Sequence, residues 1–235
     1  MGYDSQFINP KINRNNLDRY VIRDGIFKAV CEVLPHFGSK LMDVGCGKMP
    51  YKEFILKNSL VSEYVGLDIE TSLNYDDNIK PDLLWDGKKI PSDSNSFDTI
   101  MVTEVLEHCP VPEIVIDECH RVLKLEGVFF FTVPFIWNLH EIPHDEFRYT
   151  PFALKRLLSN AGFKSITIKS PGGWHRSMAQ MLGLWVRRSG LNRYQYAALS
   201  RLVKPVMNYL INIDQEISEF KEGQMIPSLY GWAKK

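Results

Sequence analysis

The feature that most restricts how this chain can fold is a glycine turn directly after a short apolar segment. Residues 41–50 read Leu-Met-Asp-Val-Gly-Cys-Gly-Lys-Met-Pro. Gly45 and Gly47 can adopt backbone angles that are closed to other residues, and they let a ligand approach the main chain with no Cβ in the way. The pattern predicts a strand, a tight turn and then a helix, with a nucleotide cofactor held at the turn. A turn that binds no ligand is the alternative.

The acid in this turn restricts which cofactor it can hold. Dinucleotide-binding turns carry a third glycine and direct helix N–H groups at a pyrophosphate. Here Pro50 stands at the third glycine position, and the carboxylate of Asp43 would repel a phosphate. The sequence therefore disfavours NAD and FAD and favours a cofactor that carries positive charge.

Apolar runs of strand length alternate with helical periodicity along most of the chain. This alternation predicts an α/β fold with a parallel sheet covered by helices on both faces. The predicted strands are 41–44, 64–68, 83–85, 97–103, 128–133 and 164–169, with a last strand at 227–233. We expect a turn at Glu126-Gly127 before the fifth strand, and a bend or restart at Pro205 within a later helix, because proline cannot continue a helix undisturbed.

Residues 43–47 resemble the first motif of class I S-adenosylmethionine-dependent methyltransferases, an acid and any residue followed by Gly-any-Gly. Further patterns of that family follow in order: Asp68 at a strand end, Trp85-Asp86-Gly87, the string 90–98, and Glu104-Val105-Leu106-Glu107-His108. The resemblance covers roughly residues 40–170. It implies a Rossmann-like doubly wound sheet of seven strands, mostly parallel, with the last strand antiparallel.

The resemblance also implies how the cofactor S-adenosyl-L-methionine would be held. Asp43 and the two glycines would hold its methionine end, Asp68 its ribose, and Asp86 its adenine, while Thr103 and Glu104 would line the methionine end. Asp68 has a simpler explanation as a cap or turn residue, and Asp86 as part of an Asp-Gly turn. The candidate cofactor-binding residues are Asp43, Gly45, Cys46, Gly47, Asp68, Ile69, Trp85, Asp86, Gly87, Thr103 and Glu104.

The loop 134–150 follows the fifth strand and is dense in aromatic and histidine residues. Its second half, with Pro151, resembles a segment of small-molecule methyltransferases, a group that includes ubiquinone-pathway and sugar-modifying enzymes. In such folds this loop faces the acceptor. Histidine titrates near neutrality, so His144 and His140 are the candidate bases, with Asp145 as an orienting group or second base. A loop merely held together by these side chains is the alternative.

We expect no bound metal. His140, His144 and Asp145 could supply three ligands, but Pro143 interrupts a helical register and no acidic cluster lies nearby in sequence. The four cysteines, Cys31, Cys46, Cys109 and Cys119, form no C-x-x-C pair and predict reduced thiols.

Charge and hydropathy limit the partners. Lys plus Arg and Asp plus Glu each total 28, so no excess positive charge is available for a nucleic acid. The sequence has neither the pattern of a signal peptide nor an apolar run of about 20 residues. We therefore expect a cytoplasmic protein with a small-molecule substrate, no nucleic acid partner and no stable membrane insertion.

We expect a single domain over residues 1–235. It would comprise an N-terminal arm and helix (1–38), a cofactor-binding core (39–173), a helical insertion (174–222) and the last strand (223–235). The insertion could pack on its own domain, cover the active site or form a homodimer surface.

The predicted function is methyl transfer from S-adenosyl-L-methionine to oxygen or nitrogen of a small-molecule acceptor, for example a sugar or secondary metabolite. The alternatives are an NAD-dependent oxidoreductase and a noncatalytic module that binds S-adenosylmethionine.

Overall fold

Seven strands form one sheet in the order β3-β2-β1-β4-β5-β7-β6 in a computed structural model, which describes residues 4–69 and 80–235. The strands are β1 (Lys40–Val44), β2 (Glu63–Ile69), β3 (Leu83–Trp85), β4 (Phe97–Thr103), β5 (Leu123–Pro134), β6 (Lys164–Lys169) and β7 (Ser228–Lys234). The first five pair in parallel, whereas β7 runs antiparallel to both β5 and β6. The predicted seven-stranded, mostly parallel sheet with an antiparallel last strand is confirmed.

Six helices accompany the strands in the described part of the chain. They are α1 (Tyr20–Val33), α2 (Lys52–Asn58), α3 (Pro112–Val122), α4 (Pro151–Asn160), α5 (Trp174–Arg188) and α6 (Arg193–Ile213). Thr150 caps α4 by accepting a hydrogen bond from the Ala153 backbone N–H, and Pro151 occupies the first turn. Within the described residues, no helix is both long enough and apolar enough to cross a bilayer.

The sheet is buried on both faces. Along β5, the side chains of Phe129 and Phe131 pack into one core and that of Phe130 into the other, because successive strand residues point to opposite faces. This explains the unbroken apolar run in the most hydrophobic strand. A third, smaller core joins α1, α5 and α6 around Leu17 and Met207.

One expectation from the sequence is wrong. Strand β5 begins at Leu123 and passes through the predicted turn at Glu126-Gly127. Glu126 takes a left-handed conformation (φ 60°) inside the strand, and the pairing register with β4 shifts near there, so the turn chemistry makes a bulge. Of the bend or restart expected at Pro205, the restart does not occur, because helix α6 continues through the proline. Burial of Val203 and Met207 on either side of the proline stabilises the continuous helix.

Successive strands of the chain are added on one side of β1 up to β3, and from β4 onward they are added on the other side. β1 pairs with β2 on one side and with β4 on the other. In an open α/β sheet, ligands bind in the crevice beyond the carboxyl ends of the strands at such a switch point. The glycine turn, the end of β4 and the loop after β5 all lie at this edge.

Candidate active site

The glycine turn after β1 folds back onto the neighbouring strand β2. The backbone N–H groups of Gly45 and Cys46 both donate to the carbonyl of Leu67, at 2.8 and 3.1 Å. The thiol of Cys46 is buried, and it packs against Gly66 so closely that a Cβ on Gly66 would lie 2.9 Å from Sγ. The turn is therefore fixed against β2 by main-chain and side-chain contacts.

Both turn glycines are required by the backbone. Gly45 and Gly47 have φ values of +69° and +46°, in the left-handed region that side chains other than glycine adopt with strain. A Cβ on Gly45 would also come within 2.3 Å of Cγ2 of Val105, the residue that follows Glu104 after β4. The turn thus packs bare main chain against the end of β4.

Asp43, the last acid before the turn, is buried. Its Oδ2 accepts a 2.5 Å hydrogen bond from the Tyr64 hydroxyl, and its Oδ1 has no hydrogen-bond partner in the described part of the chain. Burial raises the pKa of Asp43 to about 7, although the Tyr64 bond opposes the shift. A cation placed beside this carboxyl group would stabilise its charged form.

Asp68, at the end of β2, faces the same turn. Its Oδ2 accepts from the Gly47 N–H at 3.0 Å, and its Oδ1 accepts from the Ile69 N–H at 2.8 Å. A carboxylate oxygen can accept more than one hydrogen bond, so each oxygen keeps capacity for a ligand hydroxyl. Burial raises the pKa of Asp68, and the charge of Glu141, on the loop after β5, raises it further. Asp68 and that loop therefore border one crevice.

Asp86 occupies a local turn after β3. Its Oδ1 accepts from the backbone N–H groups of Lys88 and Lys89, at 2.9 and 3.1 Å, and these bonds lower the pKa of the exposed carboxyl. Trp85 beside it is buried, and Gly87 has a φ of +76°. This geometry realises the simpler turn role for Asp86. A ligand amine could donate a hydrogen bond to Asp86 only through the acceptor capacity that remains on its carboxylate.

Glu104 takes a left-handed conformation (φ +55°) directly after Thr103, the last residue of β4. Its backbone N–H donates to the carbonyl of Thr132 at 3.0 Å, and its Oε1 accepts from the Thr132 hydroxyl at 2.7 Å. Burial raises the pKa of Glu104. A further acid, partly buried, thus lies at the carboxyl edge beside the turn.

The loop after β5 is anchored to the short 3-10 turn Leu106–His108. The Tyr149 hydroxyl donates to the Leu106 carbonyl at 2.9 Å, and the N–H groups of Glu146 and Phe147 donate to the Glu107 carbonyl at 2.9 and 3.1 Å. These bonds bring the histidine-bearing loop onto the end of β4.

Three side chains meet where the loop and the turn join. Glu107 Oε1 lies 3.8 Å from His108 Nε2, and the ring centroids of His108 and His140 are 4.7 Å apart. Burial raises the pKa of Glu107 well above its usual range, and the charge of Glu104 raises it further. Burial, followed by the nearby His108, lowers the pKa of His140, which favours its neutral imidazole.

Asp145 holds His140 in this position. Its Oδ2 accepts from the backbone N–H of His140 at 3.1 Å and lies 3.3 Å from the ring Nδ1. The guanidinium of Arg148 donates hydrogen bonds to both carboxylate oxygens of Asp145, at 2.6 and 2.9 Å. This pair lowers the pKa of Asp145 far below its usual range, so the carboxylate stays ionised and is a poor proton acceptor.

The structure brings together only part of the predicted catalytic set. His140 and Asp145 are in contact, but His144 is exposed and approaches the others through its backbone carbonyl, which lies 2.9 Å from His108 Nδ1. Sequence reasoning did not include Glu107 and His108 in the set. The signal that could have identified them is the sequence 104–108, which ends in Glu107-His108, directly follows a strand and resembles the methyltransferase pattern.

Comparison with known proteins gives the site a family context. A family model described as a methyltransferase domain matches residues 42–131, from β1 to the middle of β5. An uncharacterized protein of Methanocaldococcus jannaschii is 30% identical over 154 residues, which are 62% of this chain and 57% of that protein.

Two further similarities were found. A ubiquinone biosynthesis O-methyltransferase of Actinobacillus pleuropneumoniae is 29% identical over 111 residues, covering 41% of this chain and 46% of that enzyme. This chain thus spans about half the length of the curated relatives it matches. A Thermotoga maritima structure described as a possible histamine N-methyltransferase superposes with a TM-score of 0.58 at 14% identity, covering 94% of this chain and 97% of that one.

The raised pKa of Asp43 predicts a specific pH dependence of stability. Because the folded state holds this proton more tightly than the unfolded chain, the contribution of Asp43 to the free energy of unfolding falls as pH rises from about 4 through 7. The variant Asp43→Asn removes this penalty. Relative to wild type it should gain up to roughly 4 kcal/mol in unfolding free energy between pH 4 and pH 8.

Urea unfolding of both proteins at pH 4, 6 and 8 measures this difference. Asp93→Asn, at an exposed acid in the loop before β4, serves as the matched control. A stability difference between wild type and Asp43→Asn that does not change with pH would contradict the assignment.

Proposed function

We propose that this chain, whose residues 42–131 match a methyltransferase domain, is a class I S-adenosylmethionine-dependent methyltransferase, and that it transfers the methyl group of S-adenosyl-L-methionine to a hydroxyl oxygen of a small-molecule acceptor. The observation that carries this proposal is the glycine turn bordered by Asp43 and Asp68. We assign cofactor binding to residues 39–173, and we treat residues 1–235 as one methyltransferase unit.

The residues at the turn suit this cofactor. Asp68 has acceptor capacity for the two ribose hydroxyls, and we assign the methionine end to the glycine turn of Gly45 and Gly47. The bound cofactor would supply an electrophilic methyl group on a positively charged sulfur. Asp43, which is buried, and Glu104, which is partly buried, place two acids at that edge, and they favour a cation over a pyrophosphate.

The acceptor side is assigned to the loop 134–150. A hydroxyl is a weak nucleophile until its proton is removed or its oxygen is polarised, and the enzyme must also align it with the donor methyl. His140 is our principal candidate for removing the hydroxyl proton or polarising the oxygen. Asp145 is a positioning residue that holds the backbone and the ring of His140. The similarity of this chain to a ubiquinone biosynthesis O-methyltransferase supports oxygen as the acceptor atom.

Cofactor binding is tested by isothermal titration of the purified chain with S-adenosylmethionine, S-adenosylhomocysteine and NAD. Asp68→Asn should weaken binding of both S-adenosyl ligands by about tenfold to a hundredfold, because it loses charge-assisted hydrogen bonds. Asp93→Asn should bind like wild type. If NAD bound tightly and S-adenosylhomocysteine did not, the oxidoreductase alternative would replace this proposal.

Turnover is tested by methyl incorporation from labelled donor into a fractionated metabolite extract. His140→Ala should lower the rate about a hundredfold or more while leaving the affinity for S-adenosylhomocysteine within about twofold. His144→Ala is run in parallel, since the sequence nominates that residue too. Unchanged turnover in His140→Ala would remove it from the acceptor site, and absence of any incorporation despite tight cofactor binding would favour a noncatalytic module.

We also propose that the helical segment 174–222 provides a homodimer contact. Helix α5 leaves an apolar stripe on its surface at helical spacing, with exposed fractions between 37 and 53%. The stripe consists of Trp174, Met178, Met181 and Trp185. Contiguous apolar surface of this kind marks interaction sites more often than isolated exposed residues do.

Sedimentation at micromolar concentration should therefore show a dimer that the double variant Met178→Glu, Trp185→Glu converts to a monomer. Leu60→Glu, at a highly exposed apolar residue between α2 and β2, is the control and should remain dimeric. A monomeric wild-type protein at tens of micromolar would contradict the contact.

A further inference from the structure

We infer that Glu107, His108 and His140 bind a divalent transition-metal ion, and that this ion holds the acceptor hydroxyl. The second half of this inference rests on the proposed function. Suitable ligand atoms of the three residues, one from each, all lie within 4.8 Å of one another. The first half stands on the geometry of these side chains alone.

Glu107 is the strongest sign of a missing partner. The residue has no exposed surface, and neither carboxylate oxygen accepts a hydrogen bond from any described residue. Buried carboxylates are normally paired with a cation or with several donors. The neighbouring group at 3.8 Å is His108 Nε2, which is too far for a hydrogen bond but near enough to share an ion with Glu107.

The orientation of His108 fits a ligand. Its Nδ1 lies 2.9 Å from the backbone carbonyl of His144, so Nδ1 carries the proton and donates it there. The lone pair of Nε2 then points toward the carboxylates of Glu107 and Glu141, at 3.8 and 3.7 Å. Histidine ligands of metals are commonly oriented by such a hydrogen bond from the second ring nitrogen to a carbonyl.

His140 completes the set from the loop after β5. Asp145 fixes its backbone and lies beside its ring, and Arg148 fixes Asp145 in turn. An ion at about 2.1 Å from each ligand would draw the three ligand atoms together by about 1 Å. The ligands come from the turn after β4 and the loop after β5, so only a small approach of the loop is needed.

These three ligands differ from the ones that the sequence suggested. There the possible ligands were His140, His144 and Asp145, and no metal was expected. In the structure Asp145 is engaged by Arg148, and the side chain of His144 is exposed. Glu107 and His108 take their places because the 3-10 turn brings them against the loop.

Two imidazoles and one carboxylate suit Mn²⁺, Fe²⁺, Co²⁺ or Zn²⁺ better than Mg²⁺, which prefers oxygen ligands. Three protein ligands leave coordination positions open for an acceptor hydroxyl. The ion lowers the pKa of that hydroxyl, and its proton leaves to water. The oxygen then forms a bond to the methyl carbon, the carbon–sulfur bond breaks, and its electron pair remains on sulfur.

The test uses the purified chain after treatment with EDTA, without cofactor or acceptor. Titration with Co²⁺ should show one site per chain, with visible absorption bands of nitrogen and oxygen ligation and an affinity at least tenfold higher than for Mg²⁺. The variants Glu107→Gln, His108→Ala and His140→Ala should each weaken Co²⁺ binding at least tenfold. His175→Ala, which removes a half-exposed imidazole at the start of α5, should not.

Binding of S-adenosylhomocysteine, measured on the same samples, reports both folding and the cofactor site. Retained S-adenosylhomocysteine affinity in the three variants together with lost Co²⁺ binding supports the ion site. Wild-type protein that binds S-adenosylhomocysteine but not Co²⁺ would overturn the ion site and leave the proposed function intact. Co²⁺ binding that is equally strong in all variants would also overturn it.

Discussion

The fold of the site depends on the close packing of main chain against main chain at the glycine turn. Gly45 adopts a left-handed conformation, its N–H donates to Leu67 on β2, and the space for its missing Cβ is filled by Val105. A side chain at this position would have to displace Val105 and with it the segment after β4. That segment contains Glu107 and His108, so the turn sets the position of the acceptor side as well as the cofactor side.

The electrostatic character of the crevice follows from this packing. Asp43 and Glu107 are buried carboxyl groups and Glu104 is a partly buried one, and burial raises the pKa of each. Such a group is unfavourable as a lone charge in the interior. A crevice bordered by three of them accommodates cations, and both proposed occupants, a sulfonium and a divalent ion, are cations.

The sequence predicted the scaffold well because strand and helix signals are local. The boundaries of β3, β4 and β6 agree with the apolar runs, since Gly, Pro and polar loops delimit each run. The error at Glu126 arose where tertiary packing overrode local chemistry and made a bulge, and packing likewise keeps the helix continuous through Pro205.

The site was less predictable, because it depends on contacts across many residues. No local pattern shows that the Glu104 carboxylate would accept from Thr132, 28 residues away, or that the His144 backbone carbonyl would orient His108 across 36 residues. Asp86 illustrates the converse, since its local turn bonds to Lys88 and Lys89 satisfy the pattern that suggested a ligand contact.

A crystal structure of the chain with bound S-adenosylhomocysteine would test the central claim most directly. The account predicts ribose hydroxyls within hydrogen-bond distance of Asp68 and a sulfur that lies between the glycine turn and the Glu107, His108 and His140 side chains. A ligand bound elsewhere, or one with its sulfur turned away from those three residues, would contradict it.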